Sequence, residues 1–367
     1  MASIHKRKDR PNKPWQVKYR TVEGDQRADS FRTLDEAKAF ASSVDVDLRS
    51  GTYVDPQRGA VRFGELVPDA MAALELGWRP STITRARVTL RARVLPRWAN
   101  VPFGAIDQAA VQGWIRDMTA DGLVPGSVGK AFQLFARIVD AAVDARILPN
   151  RPWGKNLRLP RAERHEARFL EPAEVDRLAA AIGDEHRAFV YLGALCGLRP
   201  GELFALRWPD VDTAAATVAV HATVTEGNGA RHVGPPKTKA SRRVVPMPAV
   251  VVDELELHAL TRTDPGGLVF PGAFGKPWWQ NAFRRRVWIP ATEAGGLGGL
   301  VPHELRHSAV AAWIDAGATP NECAARAGHS SVVRILDLYG HRFPRHAQRV
   351  NAALDEMYRE ARQRARD

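Results

Sequence analysis

Across residues 60–150 apolar side chains recur every three or four positions, in VRFGELVPDAMAALEL, STITRARVTLRARVLPRWA, DQAAVQGWIRDMTADG and PGSVGKAFQLFARIVDAAVDARIL. That spacing predicts helices only. The pattern upstream is different. SIHKRKD, WQVKYRTV and RADSFRT are short β-prone runs, with the turn signal EGDQ between the second and the third. Thr33 and Glu36 make a capping-box pattern ahead of LDEAKAFASSVDVDLRSG, and Gly51 stands where the helix would stop. Three strands and one helix are therefore expected over residues 1–58, followed by TYVDPQRGAV, a connector broken by Pro and Gly.

The stretch PNRPWGKNLRLPRAERHEARFL, about residues 149–170, is rich in Pro and Arg and has no period, so it reads as a basic linker. Helical spacing resumes in PAEVDRLAAAIG, EHRAFVYLGALCG, VVVDELELHAL and HELRHSAVAAWIDAG, and again in the C-terminal RHAQRVNAALDEMYREARQRARD. ATVAVHATV and SRRVVPMP read as two arms of a hairpin, with GNGARHVGPPKTKA between them. The expected fold is mainly α with small β elements. A small three-stranded sheet with a helix spans 1–58, a helical domain 59–150, a linker 151–168, and an α-rich domain with a β-hairpin and a C-terminal helix 169–367.

Charge narrows the partners. The 367 residues carry a formal net charge of +12, which suits a polyanion, and DNA is the usual one. The two cysteines, Cys196 and Cys323, form no CxxC pair, so neither a disulfide framework nor a structural zinc cluster is expected, and a reducing intracellular compartment fits. The N-terminus has no apolar segment behind its charges, so no signal peptide is expected, and no apolar run reaches the ~18 residues of a membrane span. Lys6, Arg7, Lys8, Lys18 and Arg20 give the N-terminal sheet a basic character that could grip phosphates or enter a groove; a solvated basic arm is the plainer reading. Arg85, Arg87 and Arg91 lie on one predicted helix, where Arg87 and Arg91 share a face, and they are further DNA-backbone candidates.

Candidate chemistry is concentrated in GLRPGELFALRW (197–208), PPKTKASRRVVPMP (235–248), HELRHSAVAAW (303–313) and AGHSSVVRILDLYGH (327–341). Breaking a phosphodiester without a metal needs a nucleophile, a cationic clamp for the phosphate oxygens and a proton donor for the leaving oxygen. Arg199 and Arg306 could form the clamp, because guanidinium forks match phosphate oxygens. Lys237 could be the acid, although Lys239, Arg242 and Arg243 stand in the same basic run. His303 shares a helix face with Arg306. Tyr339 offers a phenol, whose pKa nearby cations are expected to lower.

In this order and context the fragments resemble the tyrosine recombinases, the phage-type integrase family. GLRPGEL resembles the family's first Arg box, with Arg199 as catalytic Arg and Glu202 at its supporting acidic position. PPKTKASRRVVP resembles its β-hairpin Lys motif, with Lys237 as the Lys. HELRH resembles its His-x-x-Arg box, giving His303 and Arg306, with His307 following as is common there. AGHSS resembles the second His position, so His329 is expected to bind the scissile phosphate or assist Tyr339, the nucleophile position in DLYGH. Ala327 stands where the family often has Leu, a packing change. The resemblance is strong over about 165–345, looser over 60–150, where a core-site-binding domain is expected, and weakest over 1–58, where many members carry an arm-binding domain.

The resemblance implies cleavage and rejoining of double-stranded DNA attachment sites through a 3′-phosphotyrosyl link, with a free 5′-hydroxyl and no ATP, metal or other cofactor. It also implies a tetramer that exchanges strands through a Holliday junction, and it leaves room for accessory DNA-bending and directionality proteins. In the family such a C-terminal tail packs on a neighbouring protomer; docking on its own domain stays open here. Three other readings stay open at this level. A type IB topoisomerase shares the chemistry. A non-catalytic DNA-binding protein shares the charge. HELRH also fits the zinc-protease pattern H-E-x-x-H, with His303 and His307 as ligands and Glu304 as base.

Overall fold

The computed structural model describes the chain apart from residues 1, 22–23, 51–52, 55, 162–167, 228, 237, 262–263, 265, 344–346 and 365–367. It divides into two units, Met1–Arg164 and His165–Asp367.

The first unit begins with strands β1 (Ser3–Lys6), β2 (Trp15–Arg20) and β3 (Gln26–Phe31), antiparallel in that order, and helix α1 (Leu34–Ser50). Alternation along β2 turns Val17 and Tyr19 toward α1, where they share a core with Ala37, Ala41, Val44 and Tyr53. The capping box forms at the start of α1. Thr33 Oγ1 accepts from the Glu36 amide at 3.2 Å, and a Glu36 carboxylate oxygen accepts from the Thr33 amide at 3.4 Å. The expected stop at Gly51 lies outside the described residues.

Helices α2 (Phe63–Glu75), α3 (Pro80–Thr89), α4 (Leu95–Trp98), α5 (Gln108–Ala120) and α6 (Pro125–Asp144) follow. A π-helical turn, Leu90–Val94, joins α3 to α4 just ahead of Pro96. That proline lacks the amide hydrogen a continuous helix needs. Phe63, Trp98, Trp114 and Phe135 pack together in the core of this bundle, Phe63 stacked on Phe135 and Trp98 edge-on to Trp114. Residues 151–161, read above as linker, are not a free connector. Trp153 and Leu157 pack against the helical core, and Arg158 closes a pair of backbone bonds with the Gln112 amide at 2.8 and 3.0 Å. Trp153, Leu157 and Leu159 set up no repeating period, which is why the sequence hid this.

The second unit runs α7 (Pro172–Ile182), α8 (Arg187–Leu195), α9 (Pro200–Leu203), β4 (Val211–Asp212), β5 (Thr217–Val220), β6 (Thr223–Gly227), β7 (Ala230–Gly234), β8 (Arg243–Pro246) and α10 (Ala249–Leu260). It continues with α11 (Gln280–Phe283), α12 (Ile289–Ala294), α13 (Glu304–Asp315), α14 (Pro320–Ala327), α15 (Val333–Tyr339) and α16 (Ala347–Arg364). The hairpin expectation is half corrected. β5 does pair with β8, but ATVAVHATV breaks into two strands, and β6 forms its own hairpin with β7 inside the segment read as a loop. Gly229, at φ +71, supplies the left-handed turn.

Helix α13 is central, with buried residues all round it, including Glu304, Leu305, Arg306, Ser308, Ala309 and Val310. Its approach to α8 depends on Gly193, where an added Cβ would lie 2.7 Å from Leu305 Cδ1. Among the described residues no helix is long and apolar enough to cross a membrane.

Candidate active site

Arg199 is the N-cap of α9, and Glu202 sits at the third helical position, so the carboxylate turns back onto the helix start. It accepts from the Arg199 amide at 2.9 Å and from the Arg199 guanidinium at 2.7 Å. Arg243 on β8 grips the same carboxylate with two bonds, at 3.2 and 3.0 Å, and donates through Nε to the Arg326 carbonyl at 2.7 Å. Burial alone would raise the Glu202 pKa, but the Arg243 and Arg199 charges outweigh it and hold the carboxyl below its usual range. Arg243 had appeared in the sequence only as a look-alike of Lys237. Its part here depends on a contact with Glu202, 41 residues away, which the hairpin reading did not specify. Lys237 itself lies outside the described residues.

Arg306 is only 3% exposed. It donates to the Gly197 carbonyl at 2.7 Å and to the Ala327 carbonyl, and it meets His329 Nε2 at 2.9 Å. Burial, then the nearby Arg199 charge, bring its pKa down to about 9, so it stays cationic at neutral pH. His329 is aimed by Gly328, which caps α14 in the left-handed region at φ +63. Burial and Arg306 push the His329 pKa down to about 3. Burial and the His307 and Arg306 charges push His303 down to about 4. Both imidazoles are therefore neutral at pH 7. His303 and Arg199 line one cavity of about 460 Å³ with Gly201, Thr223, Asn281 and Arg284.

Tyr339 ends α15 and is 2% exposed. Its hydroxyl meets His307 Nδ1 at 2.5 Å, and its ring packs against Phe169 with centroids 6.0 Å apart. The expectation of a lowered phenol pKa is corrected. Burial pushes it up to about 12, and Arg306 opposes that without winning. Of the three imidazoles in the two His motifs, His307 touches the phenol, while His329 meets Arg306.

The zinc-protease reading fails on the same geometry. The Glu304 carboxylate accepts from the Val301 amide at 2.7 Å, which turns the required base into the start of its own helix. Among the described residues no cluster of three His, Cys, Asp or Glu could hold a metal ion.

The expected DNA contacts spread over the first unit. Lys6, Lys8 and Arg20 are exposed and Lys18 is half-buried on the N-terminal sheet, with the Lys6 ammonium 5.3 Å from the Trp15 ring. Arg7 is held by Asp9 through two bonds, at 2.9 and 2.8 Å. Arg87 is likewise engaged by Glu75, at 2.7 and 2.5 Å. Arg91 is exposed. Arg85 lines a cleft with Trp78 and with Lys130, Gln133 and Arg137 of α6.

Residues 168–346 match the phage integrase family. Among curated proteins, the ICEBs1 integrase of Bacillus subtilis (strain 168) is 25% identical over 311 residues, covering 81% of this chain and 84% of its own length. Among solved structures, the Tn1549 transposon integrase in complex with a circular intermediate DNA has a similar fold, with a TM-score of 0.68 at 17% identity over 81% of this chain and 99% of that one. The lambda integrase tetramer bound to a Holliday junction matches with a TM-score of 0.58 at 16% identity, over 92% and 95%. The family match over residues 168–346, the ordered motif series and the curated relatives lead to one assignment: the chain is a tyrosine site-specific recombinase with a phage integrase domain.

Proposed function

We propose that this integrase cleaves and reseals double-stranded DNA at attachment sites, with Tyr339 as nucleophile, and so inserts and excises a mobile element. The observation that carries the reading is the state of Arg306. It is a buried cation whose hydrogen bonds go to two carbonyls and an imidazole, and among the described residues it has no ion-pair partner. A buried charge without a counter-ion is costly. A phosphate diester supplies the missing anion, with Arg199 as the second arm of the clamp.

In this reading the Tyr339 oxygen attacks phosphorus, the 5′-oxygen leaves, and a 3′-phosphotyrosyl bond keeps the energy of the broken linkage. A 5′-hydroxyl from a partner duplex then reverses the step. His303 and His329 contribute as neutral hydrogen-bond donors. The Nδ1 atom of His329, buried without a partner, is a donor that a phosphate oxygen would satisfy. Lys237 is the acid for the leaving oxygen. The N-terminal sheet holds arm sites and the helical bundle holds core sites. Four protomers assemble on two duplexes, aided by DNA-bending and directionality proteins at the host nucleoid.

A nicked suicide substrate tests the nucleophile. The wild-type chain forms a covalent adduct on its own attachment site, and Tyr339→Phe binds the same DNA without forming one. An undiminished adduct from Tyr339→Phe would falsify the assignment.

A further inference from the structure

We infer that His307 is the general base of strand cleavage, its Nδ1 taking the phenolic proton as the Tyr339 oxygen bonds to the scissile phosphorus. This rests on the reading of Tyr339 as nucleophile. Of the three imidazoles in the two His motifs, His307 is the one in contact with the phenol, at 2.5 Å. His329 faces Arg306 instead, and the His303 ring stands perpendicular to that of His307, 5.2 Å away. Helix geometry explains the division. His303 is the N-cap of α13 and His307 follows one turn later, while Arg306 projects to Gly197 and Ala327. In the base's role the phenol donates, Nδ1 is bare, and the ring proton sits on Nε2.

Burial creates the need for such a base. The Tyr339 hydroxyl is shielded and its pKa is raised, so it does not ionise at neutral pH by itself. A base already in contact removes the proton within the displacement. The step balances. The bond from the Tyr339 oxygen to phosphorus forms, the bond from phosphorus to the 5′-oxygen breaks, the phenol proton passes to His307, and the leaving oxygen takes a proton from the acid assigned to Lys237. On rejoining, the 5′-hydroxyl returns its proton to the amine and His307 returns its own to the departing phenolate.

His307→Asn tests this, because the amide can still accept a hydrogen bond near the place of Nδ1 but cannot carry a proton. In single-turnover cleavage it should bind DNA as wild type does and form the adduct roughly a hundredfold or more slowly. A 5′-bridging phosphorothiolate, which leaves without a proton, should rescue Lys237→Ala but not His307→Asn. A more acidic fluorotyrosine at position 339 should speed His307→Asn more than wild type. Cleavage by His307→Asn within a few-fold of wild type, or full rescue by the phosphorothiolate, overturns the inference. Should the variant fail to fold, nitrogen-15 shifts of the unaltered protein decide: a bare Nδ1 is expected, and a protonated Nδ1 rules the role out. Tyr339→Phe run alongside separates the two ideas, since an unimpaired His307→Asn with a dead Tyr339→Phe removes only the base.

Discussion

At the scale of single residues, the site is a set of cations and neutral imidazoles kept in place by carbonyls and one carboxylate. Arg199→Ala or Arg306→Ala should slow adduct formation by about two to three orders of magnitude, by analogy with the ~3–4 kcal/mol lost per oxyanion donor. Single-turnover cleavage of the nicked substrate measures it. The imidazoles also set an acid limit. The folded pKa values of His303 and His329, about 4 and about 3, lie below their ordinary 6.5. Protonation therefore favours the unfolded chain once the pH falls below about 6.5, and the stability these groups contribute above that pH is lost as the folded values are approached. Melting temperature should drop across that window, and His329→Asn should flatten the drop. The motif residues were legible because each sits in a distinctive local string. Their partners were not. Arg243 on Glu202 and His307 on Tyr339 join distant parts of the chain, and no local period encodes that.

At the scale of elements, close packing around α13 decides whether the motif residues meet. Gly193→Ala would drive a methyl into Leu305 and push α13 away from α8. A cost of about 1–3 kcal/mol is expected, the range for overpacking a well-filled core. Thermal melts check the stability, and the adduct assay checks whether Arg306 has moved. Strong helical periods made α2, α5, α6 and α7 readable from sequence. The β6–β7 hairpin was misread because its strands are short and the Gly-rich turn was taken for a long loop. The Gly-Asn-Gly string between β-prone runs was the available signal. Helices α14 and α15, which deliver His329 and Tyr339, are short enough that their periods barely register.

At the scale of the whole molecule, α16 is a helix whose described residues are exposed, with Leu354, Met357 and Tyr358 among them. In the assembly proposed above, a neighbouring protomer would cover such a face. Removing residues 344–367 should leave single-site binding and adduct formation intact while abolishing strand exchange between two duplexes. Native gel analysis of synapsed DNA and a recombination assay on paired attachment sites distinguish these outcomes. A loss of single-site cleavage would instead place the tail within its own catalytic unit.

The turn at Gly328 has a further consequence, for which changes in chain length this protein can tolerate. Helix α14 is fixed at its start by the Thr319–Glu322 box and at its end by that left-handed glycine, with Ala327 and His329 both engaging Arg306. One inserted residue within α14 would swing His329 by about 100° around the helix axis. Insertions and deletions accumulating over evolution should therefore avoid this segment and collect at the exposed tip between β6 and β7, where an added residue disturbs no side chain of the site.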